Sequence, residues 1–149
     1  MERDGLEATA RYIMERADML VLATTAGEEY PYQRALFNLR NKAQFPGLAP
    51  FFEGKGLGVY LGTNTSSIKV AQLGRDAWAS AYFMIPGEFM GICLSGRAVP
   101  DPGAREAIWV EGWERYYPAG RGDPDYSLLR IDPVRARGWC AARPFDFEL

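Results

Sequence analysis

Short apolar and aromatic runs, each closed by a cluster of turn-forming residues, recur along almost the whole chain, and this rhythm restricts its fold more than any other feature. Residues 19–25 form a buried-strand pattern closed by Ala26-Gly27-Glu28, and residues 30–39 read as the hairpin partner, with Gln33 and Arg34 interrupting an otherwise apolar strand. Residues 57–61, 78–85, 89–99, 126–131 and 136–141 continue the series. Pro86-Gly87 predicts a type II turn, because proline's fixed φ comes first and glycine's positive φ second. Helical spacing is confined to three places. Leu6, Ala10, Ile13, Met14 and Ala17 follow a capping-box-like Asp4 and Glu7; residues 67–73 form a short helix; Asp101-Pro102 opens a helix to about Arg115. That last helix carries Trp109 and Trp113 on more than one face, which predicts burial on two sides, one of them against a second subunit. Residues 40–56, rich in proline and glycine, predict an irregular loop, and residues 144–149 a short aromatic tail. Six or seven strands with two or three helices between them predict a mainly β (α+β) antiparallel barrel with helices at its ends, not a βαβ sheet. At 149 residues it is one domain, 1–149.

Composition removes several classes of chemistry. The chain has no histidine, which excludes Ser-His and Cys-His catalysis, histidine metal sites and histidine-ligated haem. An enzyme built from these residues borrows its chemistry from a cofactor. The net charge of −2 argues against a general nucleic-acid binder, and no apolar run approaches the roughly 20 residues of a membrane span. Met1-Glu2-Arg3-Asp4 has no apolar stretch behind it, so no signal peptide is expected. Cys93 and Cys140 lack metal or redox spacing and read as reduced thiols of a cytoplasmic protein.

Two stretches suggest phosphate binding. In Gly54-Lys55-Gly56-Leu57-Gly58 the glycines precede a strand instead of following one, which marks a plain loop. The stretch Thr63-Asn64-Thr65-Ser66-Ser67-Ile68-Lys69 lies between a strand ending at Gly62 and a helix beginning near Ser67. There the unpaired N–H groups and dipole of a helix N-terminus meet three hydroxyls and a lysine. The same string also reads as a helix capped by Asn64 or Thr65 with Lys69 in solvent. Arg34 favours the anion site, since an arginine inside an apolar strand needs an anionic partner and phosphate matches its bidentate geometry. Asp123-Pro124-Asp125 reads as a turn before the next strand, and Trp109, Trp113, Tyr116 and Tyr117 as core or dimer contact.

From about Leu20 to Trp139 the chain resembles the pyridoxamine 5′-phosphate oxidase-like FMN-binding split barrels, in particular the general stress protein and nitroimidazole-resistance-like branch. The resemblance rests on Ala23-Thr24, Arg34-Ala35-Leu36-Phe37, the run from Gly62 to Val70, Ser95-Gly96-Arg97-Ala98, Tyr116-Tyr117-Pro118 and Asp123-Pro124-Asp125-Tyr126. It implies a split barrel, FMN as cofactor, and a homodimer with flavin at the subunit interface. Arg34 and Lys69 would neutralise the phosphate, with Gly62, Thr63, Ser66 and Ser67 around it. Ala35, Leu36 and Phe37 would run beside the ring, and Trp113 or Tyr117 of the partner would cover it. Small-molecule electron donors and acceptors would be the partners, with no nucleic acid and no membrane. Three positions depart from the oxidase itself: Ile68 replaces a basic residue, Gly91 a flavin-contacting glutamine, and Leu39 a substrate-phosphate lysine. Oxidation of vitamin B6 phosphates is therefore not expected. The resemblance leaves open an oxidoreductase, a flavin store or redox sensor without turnover, a haem-handling relative and a cofactor-less interaction module.

Overall fold

The computed structural model describes residues 2–25 and 29–149, so the turn expected at Ala26-Gly27-Glu28 lies outside the described residues, as does Met1. Helix α1 (Arg3–Arg16) buries Ala10, Ile13 and Met14. Its N-cap is Glu2 without a side-chain bond, so Asp4 sits in the first turn, and Glu7 pairs with Arg3 rather than closing a capping box. Strands β1 (Met19–Thr24), β2 (Tyr32–Phe37), β3 (Val59–Asn64), β4 (Trp78–Ile85), β5 (Met90–Pro100), β6 (Tyr126–Cys140) and β7 (Arg143–Glu148) form one antiparallel sheet. Its order is β2-β1-β4-β5-β6-β3, with β7 also on β6, and it curls until it is nearly a closed barrel. Alternation decides which face is buried: Leu20 and Leu22, Ala79, Ala81 and Phe83, and Ile92 and Leu94 point inward to one apolar core that α1 covers.

Four expectations are corrected. The strands expected at 126–131 and 136–141 are one. Pro133 has no N–H to pair, yet β6 passes through it because the register shifts opposite Ser95 and Gly96 and takes up Val134 as a bulge. A side chain at Gly96 would lie 2.4 Å from the Asp132 carbonyl oxygen, so only glycine permits this approach. The C-terminal tail is β7, held by Arg135 and Arg137 on Asp146. Pro86-Gly87 opens a 3-10 turn in which Phe89, at φ 51°, takes the left-handed conformation expected of Gly87. Helix α4 (Pro102–Ala107) stops well short of Arg115: Ile108 is extended, its carbonyl accepts the Tyr126 hydroxyl at 2.5 Å, and Gly112 turns the chain at φ 96°.

The aromatic residues beyond α4 pack within the chain itself. Trp113, Tyr117 and Tyr126 join Leu39, Leu48, Tyr60 and Ile108 in a second apolar cluster. Trp113 and Tyr117 are thus buried within the chain, while Tyr116 stays half-exposed. The 40–56 loop is ordered by a 3-10 turn (Pro46–Leu48) and helix α2 (Ala49–Phe52). Arg40 ties it down, donating from Nε to the Gly58 carbonyl at 3.1 Å and from Nη2 to the Gly56 carbonyl at 2.9 Å. Among the described residues no helix is long and apolar enough to cross a membrane.

Candidate functional site

The end of β3 and the start of helix α3 (Ile68–Arg75) meet as the sequence pattern requires. Ser67 occupies the N-cap position but makes no capping bond with its side chain, so the first-turn N–H groups keep their capacity for an outside acceptor. Its hydroxyl lies 3.5 Å from that of Thr63. Asn64 and Thr65 therefore do not cap the helix.

The intervening turn is clasped from the far side of the sequence. Asp125 accepts from Asn64 Nδ2 at 2.7 Å and from the Ser66 backbone N–H at 2.8 Å, and the Ser66 hydroxyl donates to it at 3.2 Å. These bonds, the Asn64 amide first, hold its carboxyl below the usual range. Ser66 is thus engaged by the protein's own carboxylate, whereas Thr63, Ser67 and Lys69 have no carboxylate partner among the described residues. Asp123 closes the turn before β6, accepting from the N–H groups of Ala119 and Asp125.

Arg34 reaches this corner from β2. Its Nη1 donates to Thr24 Oγ1 at 2.9 Å and its Nη2 to Gln72 Oε1 at 2.8 Å, while the guanidinium lies 4.4 Å from the Tyr32 ring centre. Burial lowers the pKa of Arg34. Lys69 is lowered too, first by burial and then by the charge of Arg34. Arg34 is still charged when Lys69 titrates, so the repulsion falls on the lysine. Among the described residues neither cation pairs with a carboxylate. Two mutually repelling, partly desolvated cations beside an open helix N-terminus make a site that an anion relieves.

Beside it lies a cavity of about 650 Å³ in the split between β2 and β3. Ala35, Leu36 and Phe37 form one wall, Gly62 and Asn64 the other, and Trp113 and Tyr117 the floor. A side chain at Gly62 would meet the Trp113 ring at 3.5 Å, so glycine keeps this wall flat over the indole. Phe37 and Tyr116, half-exposed and 6.0 Å apart at their centres, stand at the mouth. Trp113 and Tyr117 reach the cavity from within their own chain.

A cavity broad enough for a fused ring and an anion corner together suit a phosphorylated aromatic cofactor. The family model for pyridoxamine 5′-phosphate oxidase matches residues 6–140. The chain belongs to the pyridoxamine 5′-phosphate oxidase family. Three solved structures share its fold. A Clostridium acetobutylicum protein related to general stress protein 26 of B. subtilis is 24% identical over 99% of this chain and 97% of that one, with a TM-score of 0.77. A heme binding protein from Mycobacterium smegmatis is 17% identical, over 99% of this chain and 60% of that one, with a TM-score of 0.70. A pyridoxamine 5′-phosphate oxidase-related, FMN binding protein from Nostoc punctiforme is 19% identical, over 90% and 81%, with a TM-score of 0.62. No curated protein matches the sequence.

Within the family the three departures now have physical content. Leu39 is buried in the second apolar cluster, where a lysine would be an uncompensated charge. At Gly91 a Cβ would lie 2.3 Å from the Tyr82 hydroxyl, so Tyr82 fills the space a longer residue would need. Ile68 is exposed at the start of α3 and adds no charge to the corner. Sequence reasoning missed Thr24, Gln72 and Asp125. A glutamine in a short helix and a threonine at a strand end look like surface residues until the fold buries them together.

Proposed function

We propose that this chain is an FMN-binding oxidoreductase, distinct in substrate from pyridoxamine phosphate oxidases, that works as a cytoplasmic homodimer. One observation carries the reading: Arg34 and Lys69 lie close enough to repel each other beside a helix whose N-cap side chain makes no capping bond, and among the described residues neither pairs with a carboxylate. Arg34 and Lys69 would neutralise the phosphate, and the hydroxyls of Thr63 and Ser67 would donate to it. The backbone of Ala35, Leu36 and Phe37 offers polar groups along one wall of the cavity, with Gly62 and Trp113 supplying a flat apolar surface. Ser66 shapes the turn through Asp125. Bound FMN would supply two-electron chemistry at its flavin N5 between a reduced small-molecule donor and a small acceptor, a task for which the chain need provide no histidine.

The homodimer draws support from the outward face of the sheet. Met19, Trp78, Met84 and Trp139 are exposed there beside small Ala23, Ser80 and Gly91, an apolar surface of the sort that subunits cover. Purification tests the whole reading. A yellow protein whose released chromophore is FMN, and which oxidises NADH or NADPH in the steady state, is the expected outcome. Yellow protein without turnover identifies a flavin store or sensor. A Soret band in place of flavin absorbance, or a colourless chain that takes up no added FMN, overturns the cofactor assignment.

A further inference from the structure

We propose that Gln72 and Thr24 are positioning residues for the anion corner, a neutral relay that aims Arg34 at the cofactor phosphate while leaving its charge uncancelled. The inference rests on the FMN reading and adds to it residues that touch no cofactor. Both side chains are almost fully enclosed, Gln72 at 2% and Thr24 at 1% exposure. Arg34 has no lone pair to offer, so Thr24 Oγ1 is the acceptor in their 2.9 Å bond. The single Thr24 hydroxyl hydrogen then points at Gln72 Oε1, 2.6 Å away. The same Oε1 accepts from Arg34 Nη2 at 2.8 Å, closing a three-membered ring of bonds. Two donors converging on that atom fix which end of the amide faces Arg34.

The choice of residue carries the chemistry. A partly buried guanidinium ordinarily recruits a carboxylate, and Glu is one atom type away from Gln. Here a neutral amide takes that place. It holds Nη2, while Nη1 goes to the Thr24 hydroxyl and, at 3.3 Å each, to the Leu22 and Tyr32 carbonyls; the Tyr32 ring lies 4.4 Å from the guanidinium, and Nε has no hydrogen-bond partner among the described residues. Gln72 also lies three residues from Lys69, on the same side of α3, so a negative charge at 72 would cancel both cations at once.

The test measures the FMN and riboflavin dissociation constants of full-length wild type, Gln72→Glu, Gln72→Leu and Thr24→Val, by flavin fluorescence. The ratio of the two constants isolates the phosphate. Gln72→Glu is expected to lower the preference for FMN by about tenfold or more, and Gln72→Leu and Thr24→Val by about three- to tenfold, with riboflavin affinity unchanged in all three. Equal losses for both flavins would show that Gln72 supports only the fold and would overturn the proposal. So would a Gln72→Glu protein that keeps the wild-type preference. If Gln72→Glu does not fold, the near-isosteric Thr24→Val decides by the same criterion. A wild-type chain that binds FMN no better than riboflavin defeats the functional reading and this inference together, whereas an intact wild-type preference that the variants retain defeats the inference alone.

Discussion

Arg34 and Arg40 leave the same stretch of chain in different directions, and their surroundings look alike at first. Burial lowers both, Arg40 to about 10, and neither makes an ion pair with a carboxylate among the described residues. Their neighbours separate them. Arg40 gives its donors to the Gly56 and Gly58 carbonyls, stacks 4.7 Å over Phe52 and feels the favourable fields of Tyr60 and Glu15 against the weaker repulsion of Arg11. Arg34 makes its shortest bonds to a hydroxyl and an amide, reaches the Leu22 and Tyr32 carbonyls only at 3.3 Å, and faces a second cation, Lys69. A buried arginine alone therefore does not signal a ligand, because backbone carbonyls can satisfy it. A half-buried arginine set beside a lysine, with no carboxylate pairing either among the described residues, is the arrangement that an anion would relieve.

The largest expected effect tests the structural half of this contrast. Arg40→Met strands the Gly56 and Gly58 carbonyls and should cost about 3 kcal/mol in urea unfolding, while the folded fraction keeps its preference for FMN over riboflavin. A selective loss of FMN would erase the distinction between the two arginines. Arg34→Met should do the reverse: FMN affinity falls roughly 10- to 100-fold, equivalent to about 1.5–3 kcal/mol, with a much smaller change in unfolding free energy. Lys69→Met should weaken FMN comparably, and it should raise the stability of the cofactor-free chain by removing a charge that Arg34 repels. A fourth variant asks whether the second apolar cluster is scaffold alone. Tyr126→Phe leaves the Ile108 carbonyl without its partner, so unfolding free energy should drop by about 1–2 kcal/mol, with the FMN preference intact.

The smallest effect is a pH dependence. The folded pKa of Lys69 lies below its unfolded value, so between the two the unfolded chain binds more protons. Cofactor-free protein should therefore gain stability as alkaline pH rises through that window, by an increment that Lys69→Met lacks. Bound FMN should flatten the slope, because the phosphate favours the charged lysine. Melting curves of wild type and variant, with and without FMN, read the difference directly.

Much of the anion corner could be read from the string, because strand, hydroxyl-rich turn, helix and Arg34 follow one another in a recognisable order. The architecture was legible where periodicity was clean, as in β1, β4 and α1. It was hidden where one residue type had two meanings. Pro133 reads as a strand terminator unless a bulge opposite Gly96 accommodates it. Residues 101–115 read as one helix because tryptophan spacing cannot report that Ile108 turns extended to meet Tyr126. The roles of Gln72 and Asp125 are long-range properties: one meets β1 and β2, the other clasps a turn sixty residues earlier in the chain, and neither leaves a local pattern.

The arrangement of β6 has a consequence for biosynthesis. Among the described residues strand β3, which leads into the anion corner, pairs with β6 alone, and Asp125 stands just before β6 begins. On the ribosome, β3 emerges long before either of them. Until about the last sixth of the chain is made, the turn has no clasp and its strand no hydrogen-bonded neighbour, and such distant pairings form slowly. On the FMN reading, cofactor loading would wait on the finished polypeptide, and a chain that stops before Tyr126 would have an arginine, a lysine and no clasped turn to set beside them.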